Sequence, residues 1–394
     1  MKKYSFFVYF LFGFVLIYFF YLALTITPLQ VNESDSLNYH IPLAQNFTVG
    51  NFTNLKNISQ GLGFYPGVGE IILAVFIILR IPLGFYNVLA LIILFWVAKI
   101  TAVKIGLDKS QSLIFALGVC LLPATIRLIQ DQRVDIWLAM FFLASLNLLF
   151  KVENRAFYFF KLGCCLGLLV GAKYSGILLA AALVVIFFSR RLISFKIFYA
   201  VIPLLIFGFS WYVRNYLVIG NPFYPLHFLG FAGDVDYTTQ LWTGFKVLIT
   251  GKNGIMLIIQ AFISEFLIWS IVPLYLLYLC VVRKNRFNSL FVKLILLATF
   301  SFAVFLFEPS WLSIQATQSN MRYLLPGVIV FILSVFLIFK SLGNSDKLAI
   351  IAVLSSLGVL PLLNYFPKLT IVSLIGLIGL YKIYENISSY HSSK

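Results

Sequence analysis

The sequence predicts an all-α polytopic membrane protein with about 12 transmembrane helices. Of its 394 residues, 61% are hydrophobic and only 11% are charged, and the mean hydropathy is +0.99. Apolar runs of about 16 to 22 residues recur along the whole chain, and each is long enough to cross a bilayer or nearly so. This composition excludes a soluble globular protein, and no sizeable soluble domain is expected.

The first apolar run, residues 4–26, is predicted to be a retained transmembrane helix. It is too long for a signal peptide, and no small-residue cleavage site precedes Thr27. An outer loop over 27–82 follows, and its length indicates a functional segment. Within it, Ser34 or Asp35 is expected to cap a short helix, because a side-chain oxygen there satisfies free amides of the first turn.

A surface helix ending near Arg80 and eleven further spans complete the predicted topology. The segment that begins at Trp211 and contains Gly220 to Pro225 is predicted to be a fixed turn rather than a helix. The eleven spans are expected at 83–103, 110–126, 136–150, 161–171, 175–188, 195–212, 256–282, 291–307, 323–339, 348–363 and 369–384.

The charges indicate how the chain is oriented in the membrane. The net charge is +16, from 29 Lys and Arg against 13 Asp and Glu. With both termini inside, most basic residues fall on the inner side and most acids on the outer side, as the positive-inside rule requires. The basic excess therefore indicates membrane topology rather than nucleic-acid binding, and the acid-rich face is predicted to be extracytoplasmic.

Two pairs of acids stand at predicted outer helix ends. Glu33 and Asp35 follow the first span directly, although most such pairs in loops are solvated caps. Asp131 and Asp135 precede the span 136–150 and share a helical face if that helix begins early enough. The alternative for the second pair is an interfacial cluster in which both acids bind the arginines at 127 and 133.

Three cations interrupt apolar sequence at predicted outer positions, namely Lys173, Arg214 and Arg322. A charge near the bilayer centre costs about 2.5–3.5 kcal/mol, so such residues are expected at the interface or in a site. A guanidinium can hold two phosphate oxygens at once. The alternative is that Lys173 and Arg322 are interface anchors beside Tyr174 and Tyr323.

Together these segments resemble the bacterial branch of the GT-C superfamily related to protein O-mannosyltransferases and lipid A aminoarabinose transferases. The matching segments share their order and their predicted outer side. They are Glu33-Ser-Asp35 with Tyr39-His40-x-Pro42, Asp135, Gly171-x-Lys173-Tyr174, Arg214-Asn215 with Gly220-Asn-Pro-x-Tyr-Pro225, and Arg322-Tyr323-Leu-Leu-Pro326.

The resemblance implies a GT-C fold, with a catalytic region over 1–330 and transmembrane helices without a soluble domain over 331–394. It also implies an inverting glycosyltransferase of the bacterial inner membrane, acting on the extracytoplasmic side. Such an enzyme moves a hexose or pentose from a polyprenyl-phosphate donor to a lipid, glycan or protein acceptor.

The resemblance also implies roles for individual residues. Asp35 is the candidate base and Glu33 the second member of its motif, while Asp135, with Asp131, is the second acidic site. The candidates for the donor phosphate are Lys173, Arg214 and Arg322, and those for substrate contact are Tyr39, His40, Tyr174, Asn215 and Tyr224. The loop 234–252 is an acceptor-binding segment, a lid or a plain connection. No compact His and Asp cluster marks a metal, and a divalent ion is left open.

Two other functions fit a chain with many spans. A flippase for polyprenyl-linked saccharides would show related halves with broken helices near the midplane, and the sequence has no such internal repeat. An O-antigen-type polymerase would also carry outer arginines, but it does not need an acidic pair directly after the first span. The glycosyltransferase is therefore favoured, with the sugar and the acceptor left open.

Overall fold

The computed structural model describes six stretches of the chain, and they are 2–25, 34–227, 229–236, 244–270, 289–308 and 314–341. Glu33, residues 271–282 of the predicted span 256–282, and the predicted spans 348–363 and 369–384 lie outside the described residues. The predicted count of 12 spans therefore stays a prediction.

The described chain is almost entirely helical. Its first eight α-helices are α1 (Lys2–Thr25), α2 (Ile41–Thr48), α3 (Val68–Ile78), α4 (Phe85–Lys104), α5 (Lys109–Cys120), α6 (Pro123–Arg127), α7 (Asp135–Phe150) and α8 (Ala156–Ala172). The others are α9 (Ser175–Ile186), α10 (Phe198–Leu204), α11 (Ser210–Ile219), α12 (Gly244–Ile249), α13 (Lys252–Phe266), α14 (Ser289–Phe307), α15 (Ile314–Asn320) and α16 (Leu325–Ser341). The strands β1 (Leu226–His227) and β2 (Val235–Asp236) form a short parallel pair.

Within the described residues, four helical segments are long and apolar enough to cross a membrane. They are Phe85–Lys104, Phe195–Ile219, Ser289–Phe307 and Thr317–Ser341. Large apolar side chains such as Phe195, Val185 and Leu217 are exposed on the outside of the protein. Exposed apolar surface of this kind on long helices is typical of contact with lipid. The protein is an integral membrane protein, as the composition predicted.

The helix after residue 195 runs farther than the sequence predicted. A π-helical turn, Leu205–Phe209, joins α10 to α11, and the helix ends at Gly220, whose φ is 82°. The prediction of a turn from Trp211 onward is therefore wrong for residues 211–219, which are helical. No residue from 211 to 219 breaks a helix, and the first residue suited to a left-handed φ is Gly220.

A face of small residues on α8 allows close packing against the helix that follows α9. Gly163, Gly167 and Gly171 recur every four residues, so they lie on one side of α8. A Cβ added at Gly163 would lie 2.1 Å from the carbonyl oxygen of Ala200, and one at Gly171 would lie 2.1 Å from that of Phe207. Small residues at this spacing let two membrane helices approach closely.

We expect Gly163→Ala to destabilise the protein by about 1–3 kcal/mol, since the new methyl group forces α8 and α10 apart. The measurement is the thermal unfolding temperature in detergent. Gly13→Ala is the matched control, because a Cβ at Gly13 would meet nothing within 4 Å. An equal or smaller loss for Gly163→Ala than for Gly13→Ala would contradict the close packing.

Several helices have an end on the same side of the molecule, and polar residues lie at these ends. One of these ends is the start of α7, which Asn87 of α4 holds in place. The Asn87 side-chain amide lies 2.7, 2.9 and 3.0 Å from the carbonyl oxygens of Leu128, Asp131 and Arg133. Asn87 is fully buried. The loop before α7 is thereby fixed, and the helix begins only at Asp135.

Candidate active site

The buried Asp135 and the half-buried Lys173 form an ion pair at the centre of this polar region. The Lys173 Nζ lies 3.1 Å from Oδ1 of Asp135, and the Asp135 side chain is 3% exposed. Lys173 follows α8 directly and Asp135 opens α7, so the packing of these helices brings the two together. Burial is the largest single influence and would lower the pKa of Lys173, but the Asp135 carboxylate, together with Tyr323 and Glu308, offsets it and raises the pKa above its usual value. The lysine therefore stays charged.

Arg322 bridges the two acids that the sequence analysis selected from separate segments. Its Nη2 donates to Oδ2 of Asp35 at 3.0 Å, and its Nε lies 3.3 Å from Oδ2 of Asp135. The Asp35 side chain is 46% exposed, whereas those of Arg322 and Asp135 are buried. One carboxylate of the site is thus open to a ligand and the other is sealed inside the protein.

The predicted helix cap at Ser34 or Asp35 is not formed. The helical segment already includes both residues, and Asp35 makes no side-chain cap hydrogen bond. The helix itself continues through a π-helical turn, Ser36–His40, into α2, as predicted. Its Asp35 carboxylate is directed to Arg322 instead, where a full positive charge outweighs the partial charge of a helix terminus.

The ring of Tyr323 lies against both cations. The Lys173 Nζ is 3.6 Å from the ring centroid and the Arg322 Cζ is 4.6 Å from it. The Tyr323 hydroxyl also accepts a hydrogen bond of 2.9 Å from Nη2 of Arg322. The ring face attracts each cation, so Tyr323 helps to hold two positive charges close together.

Asp131 does not share a helical face with Asp135. It lies in the loop before α7, where Asn87 holds the backbone, and its carboxylate accepts a hydrogen bond of 2.8 Å from Nε of Arg133. The alternative of an arginine cluster is therefore right for Asp131 and wrong for Asp135. Arg127 pairs elsewhere, with its Nε 3.1 Å from the buried Glu265.

Ser319 joins Arg133 to Arg322. Its hydroxyl oxygen accepts from Nη1 of Arg133 at 2.8 Å and from Nη1 of Arg322 at 2.7 Å. Two guanidinium groups thus meet at one small polar side chain. Sequence reasoning missed Ser319, and its position three residues before Arg322 on a helical stretch is the signal that marks it.

Tyr174 and Asn215 form a second polar cluster. It adjoins the first because Tyr174 directly follows Lys173 in the sequence. The fully buried Asn215 donates to the carbonyl oxygen of Phe64 at 2.7 Å and lies 3.3 Å from the Tyr174 hydroxyl. The Tyr174 hydroxyl donates to the carbonyl oxygen of Tyr224 at 2.7 Å. These bonds fasten the outer loop near Phe64 to the turn that contains the Asn-Pro segment at 221–222.

We expect Asn215→Ala to destabilise the protein by about 1–3 kcal/mol, because buried carbonyl groups lose their donor. Thermal unfolding in detergent measures the effect. Asn38→Ala is the control, since Asn38 is exposed and bonds only locally to Ser34 in the described chain. Equal unfolding temperatures for the two variants would contradict the structural role of Asn215.

Arg214 belongs to the second cluster. Its Nε and Nη2 lie 3.0 and 2.8 Å from Oδ1 of Asn215, and Nη2 also donates to the carbonyl oxygen of Phe64 at 2.9 Å. Its Nη1 is buried and has no hydrogen-bond partner among the described residues. The contacts described for Arg214 include neither Asp35 nor Asp135.

His40 pairs with Glu70, not with Asp35. The His40 Nδ1 lies 2.5 Å from Oε1 of Glu70, and both side chains are buried. The Tyr39 ring packs on His40 at 4.2 Å, and burial followed by the Glu70 charge raises the pKa of Tyr39 well above its usual value. Sequence reasoning did not select Glu70, although an acid in the first turn of the apolar helix α3 is a visible signal.

A row of tyrosines connects the His40–Glu70 pair to the second cluster. The Tyr39 ring lies 6.0 Å from that of Tyr65, and Tyr65 lies 5.1 Å from Tyr174. Tyr224 is also nearby, and its hydroxyl donates to the carboxylate of Asp234. Of the loop 234–252, residues 237–243 lie outside the described residues.

The polar residues do not form a metal site in the described part of the chain. No group of three His, Cys, Asp or Glu side chains there is suited to hold a metal ion. Asp35 and Asp135 face Arg322, and Asp135 also faces Lys173. A donor set with a cation at each carboxylate does not fit a divalent ion.

Comparison with known proteins identifies the fold. No family model matches the sequence, and no curated protein does. Among solved structures, the chain is similar to ArnT from Cupriavidus metallidurans bound to undecaprenyl phosphate, with 17% identity and a TM-score of 0.53. That match covers 89% of this chain and 65% of ArnT. The apo state of ArnT is also similar, with 17% identity and a TM-score of 0.49 over 78% of this chain and 56% of ArnT.

The chain thus spans about two thirds of the length of ArnT (65%). The sequence predicted a GT-C fold, and the similarity to ArnT confirms that prediction. The chain has the GT-C membrane fold.

Proposed function

We propose that the protein is an inverting glycosyltransferase that uses a polyprenyl-phosphate sugar donor. The observation that carries the proposal is the pairing of the half-exposed Asp35 with Arg322, beside Lys173 and the buried Asp135. A carboxylate and two cations in one cluster are the groups that displacement of a phosphate by a hydroxyl requires. The similarity in fold to ArnT, whose structure contains undecaprenyl phosphate, supports the same donor chemistry.

Asp35 is proposed to act as the base. The acceptor hydroxyl gives its proton to the Asp35 carboxylate while its oxygen forms a bond to the anomeric carbon of the donor sugar. The bond from that carbon to the phosphate oxygen breaks, and the polyprenyl phosphate leaves with the electron pair. A single displacement inverts the anomeric configuration. Glu33 remains a proposed second member of this motif.

Lys173 and Arg322 are proposed to stabilise the phosphate as it departs. Fixed positive charges in a site with little water stabilise developing negative charge more strongly than they would in bulk solvent. Asp135, buried between them, is proposed to position both cations. Arg214 stays a candidate for phosphate contact through Nη1, the guanidinium nitrogen without a hydrogen-bond partner among the described residues.

The aromatic row is proposed to line the sugar site. The rings of Tyr39, Tyr65 and Tyr174 pack in sequence from His40 towards Asn215, and His40 holds the position of Tyr39 through their ring contact. Sugars pack on aromatic rings and hydrogen bond to hydroxyl groups at the same time. Tyr224 and the loop 234–252 are proposed to contact the acceptor, which is a lipid, a glycan or a protein.

The distribution of Lys and Arg supports a site on the extracytoplasmic side of a bacterial inner membrane. Most of these residues fall at helix ends opposite to Asp35 and Asp135 in the predicted topology. The donor would then enter from the outer leaflet, where its polyprenyl chain stays in lipid.

The test is transfer of radiolabelled hexose or pentose from undecaprenyl phosphate into lipid, glycan and protein fractions of membranes. We expect label to appear in one of these fractions with the wild type, and the fraction identifies the acceptor class. Movement of intact labelled donor across vesicles, with no covalent transfer, would support the flippase instead.

A further inference from the structure

A cavity lies at the end of the helices that is opposite to the candidate active site. Asp135 opens α7 at the site, and the other end of α7, at Phe150, lines the cavity. The helix α9 begins after Lys173 and Tyr174, and Phe187, just beyond its end, lines the cavity too. With 16 residues in α7, the two places are about 24 Å apart along the helix axis, at 1.5 Å per residue.

The cavity has a volume of about 400 Å³. Its lining combines three cations with an apolar wall: Lys151, Arg191 and Lys293 beside Leu149, Phe187 and Leu290. The described residues that line it include no Asp or Glu. Glu153, the acid closest in sequence, is exposed and does not line it.

Contacts with neighbouring residues hold Arg191 and Lys293 at the cavity. Nη1 of Arg191 donates to the carbonyl oxygen of Val152 at 3.3 Å, which attaches the short turn at 190–192, after α9, to the end of α7. Lys293 lies in the first turns of α14, and its Nζ is 5.6 Å from the centroid of the Phe187 ring. Lys293 thus belongs to α14, Lys151 directly follows α7, and Arg191 lies in the short turn after α9.

We propose that this cavity binds the phosphate headgroup of an anionic phospholipid. Basic pockets between transmembrane helices bind anionic lipid headgroups on the cytoplasmic side, because the phosphate meets Lys and Arg while the acyl chains stay against apolar surface. The apolar wall favours a lipid over free phosphate, because acyl chains can pack against that wall and a free phosphate ion cannot. The assignment to the cytoplasmic leaflet rests on the membrane orientation proposed above.

The experiment is native mass spectrometry of the full-length protein in detergent, titrated with dioleoylphosphatidylglycerol. Dioleoylphosphatidylcholine has the same acyl chains and no net charge, and inorganic phosphate has no acyl chains. We expect phosphatidylglycerol to bind and the other two to bind far more weakly. Equal binding of phosphatidylcholine would overturn the charge argument, and equal binding of inorganic phosphate would overturn the lipid assignment.

Two variants test the residues. We expect Lys293→Gln to weaken phosphatidylglycerol binding about fivefold and Arg191→Gln with Lys293→Gln about thirtyfold, at about 1 kcal/mol for each basic side chain near a lipid phosphate. Lys161→Gln is the matched control, because Lys161 is exposed and lies over the Phe157 ring outside the cavity. Unchanged binding in Lys293→Gln, or an equal loss in Lys161→Gln, would overturn the proposal.

Sugar transfer, measured on the same samples, separates this proposal from the proposed function. Phosphatidylglycerol binding that depends on Lys293 supports the cavity assignment even where no transfer is found. Transfer without such binding overturns the cavity assignment alone.

Discussion

Asp35→Asn is expected to lower the rate of sugar transfer by about 10²–10⁴-fold, the usual contribution of a general base. The amide cannot take the acceptor proton, yet it has nearly the same shape as the carboxylate. The Asp35 side chain is 46% exposed, and ion pairs of such residues contribute only about 0–1 kcal/mol to stability. The variant should therefore fold as the wild type does and lose its transfer activity.

The measurement is initial transfer rate at equal protein level, with the unfolding temperature recorded alongside. Glu153→Gln is the control, because it removes an exposed carboxylate at the opposite end of the helices. Glu33→Gln distinguishes the two acids of the motif. Retained activity in Asp35→Asn together with lost activity in Glu33→Gln would assign the base to Glu33 instead.

Asp135→Asn is expected to cause the largest loss of stability, about 3–5 kcal/mol. The substitution leaves Lys173 without its carboxylate partner at 3.1 Å and removes the buried acid beside Nε of Arg322. A buried cation whose partner has been removed is costly, because neither water nor a counter-charge compensates it. Transfer should fall as well, since the cations lose their fixed positions.

Thermal unfolding in detergent tests this second expectation, and Glu153→Gln again serves as the control. The double variant Asp135→Asn with Lys173→Gln gives a sharper comparison. It removes both members of the pair, so its loss should be smaller than the sum of the two single losses. A strictly additive result would show that Asp135 and Lys173 do not interact as described.

The sequence was sufficient to select the residues of the acidic cluster but not to predict their pairing. Asp35, Asp135, Lys173 and Arg322 were all visible as charges at the ends of apolar runs. Which of them touch depends on helix packing, and Arg322 lies 287 residues from Asp35 along the chain. Local patterns contain no information on contacts between residues so far apart.

Two outcomes have the same physical origin in tertiary contacts. Asp131 would have shared a helical face with Asp135 if the helix had begun early enough, but Asn87, more than 40 residues away, holds the backbone before α7 out of the helix. His40 is a candidate for substrate contact, and its side chain pairs with Glu70 of α3, a partner that its local sequence does not indicate. In both cases a buried polar partner from another element decided the outcome.

In the proposed reaction, the contact between Arg322 and Asp35 would couple the binding of donor to the binding of acceptor. While Arg322 donates to Oδ2 of Asp35, that oxygen is occupied by the guanidinium. A donor phosphate that draws the guanidinium away frees Oδ2 to accept the proton of the acceptor hydroxyl, so the base becomes available when the leaving group is in place. By thermodynamic reciprocity, an acceptor that engages Asp35 strengthens donor binding equally. Such cooperativity between substrates favours transfer to the acceptor over loss of the activated sugar to water.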